Sequence, residues 1–341
     1  MLSGMREAIM AAAKFVQPPH GKELVAIQGI RLLPKSGKTP ARVMATRGTV
    51  GILIDIEGDV PNLVADAVGI EAAIRADPSA RVSVEQDAVV VGRYRFKPWC
   101  DVRRYPGLPV IPGDERFQKI QNSDRIAQVL HAVSSDPNRP DLHCVSFRPG
   151  WCEATNGLGL ARVPLAVNRT VQVHGAVFAG WQGGGVEWAV EVPIGAVFRR
   201  DGEVRWGEVY AAPLAPYPDL SRVSSERRDG VYAVVPTQRL RVAVKKAVSI
   251  SPLRSVRVRF CAGGVQVASL SDVKAARSAD YQETVVALCS GDGAVLLNGG
   301  AAIAALGAVD TPRVLLGYVD PQTAVRVRSG AFLEYLYPML I

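Results

Sequence analysis

Apolar and polar residues alternate along this chain with two different periods, and the same order of periods returns three times. Apolar residues three and four apart give one side of a helix, whereas strict alternation gives one face of a strand. Helical spacing opens each segment, at 3–16, at 115–134 (ERFQKIQNSDRIAQVLHAVS) and at 237–249 (TQRLRVAVKKAVS). In the second of these, Phe117, Ile120, Ile126, Val129, Leu130 and Val133 form the predicted apolar stripe. A hairpin of alternating residues follows each helix. VAIQGIRLL and ARVMATRGTVGILIDI flank PKSGKTP, LHCVSF and CEATNGLGLARVPL flank RPGW, and VRVRF and VQVASL flank CAGG. Second helices are predicted at 61–76, 170–181 and 298–309, and short strands close each segment.

Two helices beside a strand-rich sheet, repeated in this way, predict an α+β fold of three tandem two-layer helix/sheet modules. The modules are expected at 1–112, 113–224 and 225–341. Their linkers fall where proline and charge collect, at 97–115 and 215–230. Ala45-Thr46-Arg47-Gly48 and Ala154-Thr155-Asn156-Gly157 end the second strand of the first and second segments, which supports the register. Tandem modules of this kind are expected to join their sheets edge to edge, leaving fewer strand edges open.

Composition narrows the class. Of 341 residues, 48% are hydrophobic and 21% charged, as in an ordinary globular protein. No apolar run approaches the ~18 residues of a spanning helix. The first residues read as an amphipathic helix with a Pro-Pro stop, not as a secretory leader, so the expectation is a cytoplasmic protein without membrane contact. Cys100, Cys144, Cys152, Cys261 and Cys289 are scattered without metal-ligand spacing, and the set His131, His143, Cys144 and Cys152 lacks it too; no metal is expected.

Candidate chemistry is sparse. PKSGKTP has Leu32 where a phosphate-binding loop needs glycine, and it joins two strands instead of opening a helix. WQGGG and CSGDG lack the strand–turn–helix frame of a dinucleotide site. None of His20, His131, His143 or His174 stands near a recognisable nucleophile motif. Neither an enzyme nor a cofactor is expected.

Charge is more informative. The net charge is +8, and the excess lies in the outer thirds, never in a tail. Basic residues punctuate each first helix: Arg6 and Lys14; Arg116, Lys119 and Arg125; Arg239, Arg241, Lys245 and Lys246. Such a spread suits contact with the phosphates of a polyanionic partner, and contacts of that kind bind without reading sequence.

Three stretches carry a family resemblance. Ala154-Thr155-Asn156-Gly157-Leu158-Gly159-Leu160-Ala161 resembles the A-T-D-G-H-R-L-A strand of the bacterial DNA polymerase III sliding clamp, the beta subunit. Tyr217-Pro218-Asp219-Leu220-Ser221-Arg222-Val223 resembles its F-P-D-Y-R-R-V linker, and Tyr335-Leu336-Tyr337-Pro338-Met339-Leu340-Ile341 its V-V-M-P-M-R-L tail. The resemblance implies a divergent, ring-forming member of that family. Two such chains would close head to tail around DNA as a homodimer and act as a processivity factor in DNA replication. It also implies an apolar cleft where short linear motifs of DNA polymerase and the clamp loader dock. That cleft would comprise Leu142, Thr155, Gly157, Leu160, Pro218, Arg222, Val223, Leu253, Asn298, Leu336, Pro338 and Met339. Asn156, Leu158, Gly159 and Leu340 replace the family's Asp, His, Arg and penultimate Arg, and Ala301 replaces an aromatic residue. A more apolar cleft follows. The alternative is a clamp-fold protein of a phage or mobile element that binds host replication proteins without a processivity role.

Overall fold

The computed structural model describes residues 4–16, 25–48, 50–181, 183–191, 195–207, 209–210, 230–270 and 281–339. Packing divides the chain into two compact units, one of 1–123 with 173–211 and one of 124–172 with 212–341. The middle segment of the repeat is thus shared between them.

In the first unit, nine strands form one sheet in the order 98–100, 63–66, 29–33, 41–46, 50–56, 203–207, 195–200, 187–191, 118–119. Strands from the first and middle segments meet where Val50–Ile56 pairs antiparallel with Glu203–Gly207. Gly51 stands opposite Trp206 there, and a Cβ at residue 51 would lie 2.1 Å from the indole. Only glycine admits that ring. Helix α1 (Met5–Ala13) turns Ala8, Ile9 and Ala12 onto the strands 41–46 and 50–56. Helix α2 (Ala67–Ala76) starts at Asp66, whose carboxylate accepts from Val68 N at 3.1 Å and satisfies one of the free amides of the first turn. Tyr105 is buried, and its hydroxyl donates to Gly29 O at 3.0 Å, fastening the Pro-rich segment to the sheet. Burial holds its phenol well above the ordinary range.

In the second unit, strands run side by side in the order 144–148, 151–155, 159–164, 332–336, 325–329, 313–318, 231–236, 288–289. A second sheet holds 282–286, 264–269, 255–261 and 293–298. The short helix α3 (Ile126–Val129) packs on strands 151–155 and 159–164. Helix α4 (Thr237–Ile250) buries Leu240, Ala243, Val244 and Ala247 at helical spacing. Helix α5 (Gly299–Ala308) carries no charge and lies against α4. Gly299 is required at that approach, since a Cβ would sit 2.6 Å from Arg254 O and 2.3 Å from Val248.

The A-T-x-G echo has a structural basis in each unit. Thr46 Oγ1 donates to Val50 O at 3.0 Å and Thr155 Oγ1 to Gly159 O at 2.6 Å, in each case four residues on. Gly48 and Gly157 follow at φ +90 and +84, where a side chain would be strained. One threonine hydroxyl and one left-handed glycine thus close the same strand-to-strand turn twice.

Two predicted helices are not formed. Over 115–134, Gln118–Lys119 is a short strand against Trp188 and Glu187, and only Ile126–Val129, flanked by 3-10 turns, is α-helical. Asn122 takes φ +57, and Ser123 Oγ accepts from Val186 N at 3.1 Å. Polar Asn and Ser favour such local alternatives to a helix, and they interrupt the apolar stripe. Over 170–181, Val171–His174 is a strand and Gly175–Phe178 a 3-10 turn. Alternating Val171 and Val173 suit a strand, and His174 Nδ1 accepts from Ala176 N at 3.2 Å where the chain turns. PKSGKTP forms a tight turn in which Ser36 and Thr39 exchange backbone hydrogen bonds at 3.1 and 2.9 Å.

Candidate peptide cleft and basic helix faces

Within the second unit, the strand Phe332–Leu336 ends against Gly159–Pro164, with Gly159 opposite Leu336. The chain then crosses to the other sheet. Tyr337 N donates to Leu158 O at 3.0 Å and Met339 N to Leu296 O at 2.9 Å, while Pro338 stands opposite Leu297. Three consecutive residues therefore link the end of one sheet to the end of another. Burial pushes the Tyr337 phenol upward.

This crossing gathers several predicted cleft residues. Leu160 and Tyr335 form a buried pair on which Leu333 and Ala324 pack. Thr155, Leu142 and Leu336 are also buried and offer little surface. Asn298, Pro338 and Met339 are half-buried, and Gly157 is exposed. Asn298 Oδ1 accepts from Ala301 N at 3.0 Å, capping α5. Leu253 is 44% exposed in the loop whose next residue, Arg254, accepts from Gly299 N at 2.8 Å. Pro218, Arg222 and Val223, with Leu340, lie outside the described residues. Leu158, 46% exposed, and half-buried Tyr337 complete the surface. Both stand in the stretches that carry the family resemblance, Leu158 in place of the family's His and Tyr337 in the tail.

A buried acid lies below. Glu334 is 2% exposed; its Oε2 is 2.9 Å from His131 Nε2, and its Oε1 would be 3.1 Å from a Cβ at residue 159. Glycine at 159 leaves this space open. Glu153, on strand Trp151–Thr155, is fully buried between Arg162 at 2.8 Å and Arg148 at 2.9 Å. Beside it the Cys152 thiol is held well above its ordinary range, first by burial and then by the Glu153 charge.

The basic residues fall into two groups. On α4, Arg239, Lys245 and Lys246 are exposed, and Lys246 Nζ lies 3.3 Å from Glu283. Arg241 points elsewhere: its guanidinium donates to Leu306 O and Val309 O, each at 3.1 Å, and satisfies the terminal carbonyls of α5. In the first unit, Arg6 donates to Pro78 O, while Lys14, Arg116 and Lys119 are exposed. Since 115–134 is broken, Arg116, Lys119 and Arg125 do not share one helix face. Among the described residues, no cluster of three or more His, Cys, Asp or Glu side chains is placed to hold a metal, and no helix is long and apolar enough to cross a membrane.

No protein-family model matches the sequence, and no curated protein matches it. Solved structures do match along nearly the whole chain. The DNA polymerase III beta subunit of Thermotoga maritima superposes with a TM-score of 0.77 at 17% identity, covering 98% of this chain and 97% of that one. The DNA polymerase sliding clamp of Bacillus subtilis gives 0.75 at 15%, with 99% and 97% covered. A Pseudomonas aeruginosa sliding clamp bound to griselimycin gives 0.74 at 16%, with 99% and 97% covered.

Proposed function

On the fold of the bacterial DNA polymerase III beta sliding clamps, which this divergent chain shares over its length, we propose a DNA sliding clamp. Two copies close head to tail around duplex DNA, so that three modules per chain (1–112, 113–224 and 225–341) line one ring. The observation that carries the proposal is the match over 98% of this chain and 97% of the Thermotoga protein, which leaves neither with an unmatched domain.

Further features support each part. Exposed Arg239, Lys245 and Lys246 on α4, with Lys14 at the end of α1, suit contact with phosphates whatever the base sequence. A ring holds by topology, so each contact can be weak and mobile. Strand Gln282–Val286 ends its sheet, and Val286 and Leu288 are 68% and 77% exposed, as suits an edge awaiting a second copy. The surface of Leu158, Leu253, Pro338 and Met339 provides apolar sockets for a short linear motif of DNA polymerase or of the clamp loader. By resemblance, Pro218, Arg222 and Val223 complete it. The ring tethers and does not catalyse.

The test is topological. Protein loaded on nicked circular DNA should stay through gel filtration at high salt and leave once the circle is cut. Equal retention on both forms would overturn the ring. Light scattering should give a dimer at micromolar concentration, and a strict monomer would count against closure.

A further inference from the structure

We propose that the solvent face of the larger sheet of the second unit binds single-stranded DNA, with phosphates on a row of arginines and a base stacked on Trp151. Cross-strand pairing sets the row. Arg162 stands between Glu153 on one neighbouring strand and Leu333 on the other, and Leu333 in turn stands opposite Arg328. One step nearer the end of the sheet, Trp151 stands between Arg148 and Pro164. Arg328 pairs with Leu315, two residues after Arg313. Residues two apart on a strand share a face, so Arg148, Trp151, Arg162, Arg313 and Arg328 project from the same side. The alternate residues Cys152, Ala154, Ala161, Val163, Val327 and Phe332 are buried, which leaves the arginines on the solvent side.

Charge on this face is one-sided. The strands 144–148, 151–155, 159–164, 332–336, 325–329 and 313–318 contain only Glu153 and Glu334 as acids. Glu334 lies on the other face, 2.9 Å from His131, and Glu153 is fully buried, one carboxylate beneath both Arg148 and Arg162. Arg313 and Arg328 are exposed. From the strand of Arg148 to that of Arg313 the row crosses five strand spacings, about 24 Å. A polyanion is the complement of such a row. These are not the basic residues of α4, which packs chiefly on the strands 255–261 and 264–269 of the other sheet.

Trp151 decides which polyanion. Its indole is 40% exposed, and the Arg162 guanidinium lies 5.4 Å from the ring centroid. A guanidinium bracing an exposed ring beside a basic row is the pairing with which proteins hold single strands, whose bases are free to stack. A duplex keeps its base faces hidden and would leave the indole idle. An acidic peptide has no strand edge to join here, because Trp151–Thr155 is paired on both sides. Trp151 also lies at the opposite end of its strand from Thr155, about 13 Å away, so this face is separate from the apolar surface at the tail crossing. The choice of DNA over RNA rests on reading the chain as a DNA clamp.

Fluorescence anisotropy of a labelled oligothymidylate of about 12 nucleotides, titrated with the full chain over a salt series, tests this. Trp151→Ala should weaken binding at least about fivefold, and Trp151→Phe should keep most of it. Arg328→Gln should reduce the slope of log affinity against log salt by about 0.7, the share of one phosphate. Both side chains are exposed, so thermal midpoints should not move, which separates binding from folding. Absence of binding, or binding that Trp151→Ala leaves unchanged, would overturn the inference. So would a duplex of the same length that depends equally on Trp151. Polyglutamate that displaces the strand as well as unlabelled oligothymidylate of equal charge would assign the face to an acidic protein instead. An oligouridylate that binds more tightly would overturn the choice of DNA. A monomer that still bound oligothymidylate through Trp151 would sustain the inference while the ring failed.

Discussion

The two units bury charge with opposite signs, and they satisfy it in different ways. In the first, Arg205 is 3% exposed on strand Glu203–Gly207. It pairs with Glu203, donates to the carbonyls of Val177 at 2.8 Å and Ala179 at 3.0 Å, and lies over the rings of Trp181 and Phe15 at 4.5 and 5.2 Å. Burial pulls its pKa below the ordinary arginine value, though the neighbouring Glu203 opposes this. In the second, Glu153 is fully buried between two guanidiniums, its partners among the described residues. The buried cation is held mainly by neutral groups, and the buried anion only by ions. A held charge costs little when its partners are themselves fixed dipoles, whereas an ion held by ions exposes all of them to the loss of one.

That contrast predicts unequal damage. Glu153→Ala leaves Arg148 and Arg162 facing one another across the sheet and should lower stability by about 3 kcal/mol in urea unfolding. A loss below about 1 kcal/mol would show that water replaces the carboxylate and would erase the contrast. Arg205→Met keeps the stem against Phe15 and Trp181 but strands two carbonyls, and should cost about 2 kcal/mol. Arg205→Lys should recover less than half of that, because a compact ammonium lacks the spread fork by which Nε and Nη1 reach the carboxylate and the two carbonyls separately.

Thiol chemistry sharpens the same comparison at smaller amplitude. Cys152 is buried beside Glu153 with its thiol pKa raised, so it should stay unlabelled by an aromatic disulfide reagent in the native protein. Half-buried Cys261 and Cys289 should react first. In Glu153→Ala, labelling of Cys152 at neutral pH should speed up as the sheet loosens; an unchanged rate would mean that the carboxylate does not hold this strand.

The smallest effect belongs to a half-buried pair. Tyr281 and then Lys246 hold the Glu283 carboxyl below its ordinary range. A depressed carboxyl stabilises the fold above the unfolded pKa, and that contribution fades as pH falls through the folded one. Tyr281→Phe should therefore trim stability only slightly at neutral pH, with the difference vanishing in acid. A difference that persisted at low pH would point to packing of the ring instead.

Much of the fold was legible in the sequence because it was local. The alternation of Val256, Val258 and Phe260 defines a strand whichever partner it finds, and all three side chains are buried. Leu240, Ala243, Val244 and Ala247 define α4 equally well. At 115–134 the apolar spacing suggested a helix, but Asn122 and Ser123 found tertiary partners that a period cannot reveal. The division into two units was hidden for a related reason. It depends on Ile52 meeting Arg205 and Ala161 meeting Glu334, pairings between residues far apart in the chain. Of the candidate cleft, the structure brings Leu160, Leu336, Pro338 and Met339 together at the tail crossing, a juxtaposition of distant residues that periodicity does not reveal.

The late closing strands bear on how the chain is made. As synthesis proceeds, Gly159–Pro164 appears with one edge bare, and its partner Phe332–Leu336 emerges only after most of the remaining chain. Val50–Ile56 waits in the same way for Glu203–Gly207. Each growing unit thus exposes a sticky border on the ribosome until its late partner strand arrives and seals it.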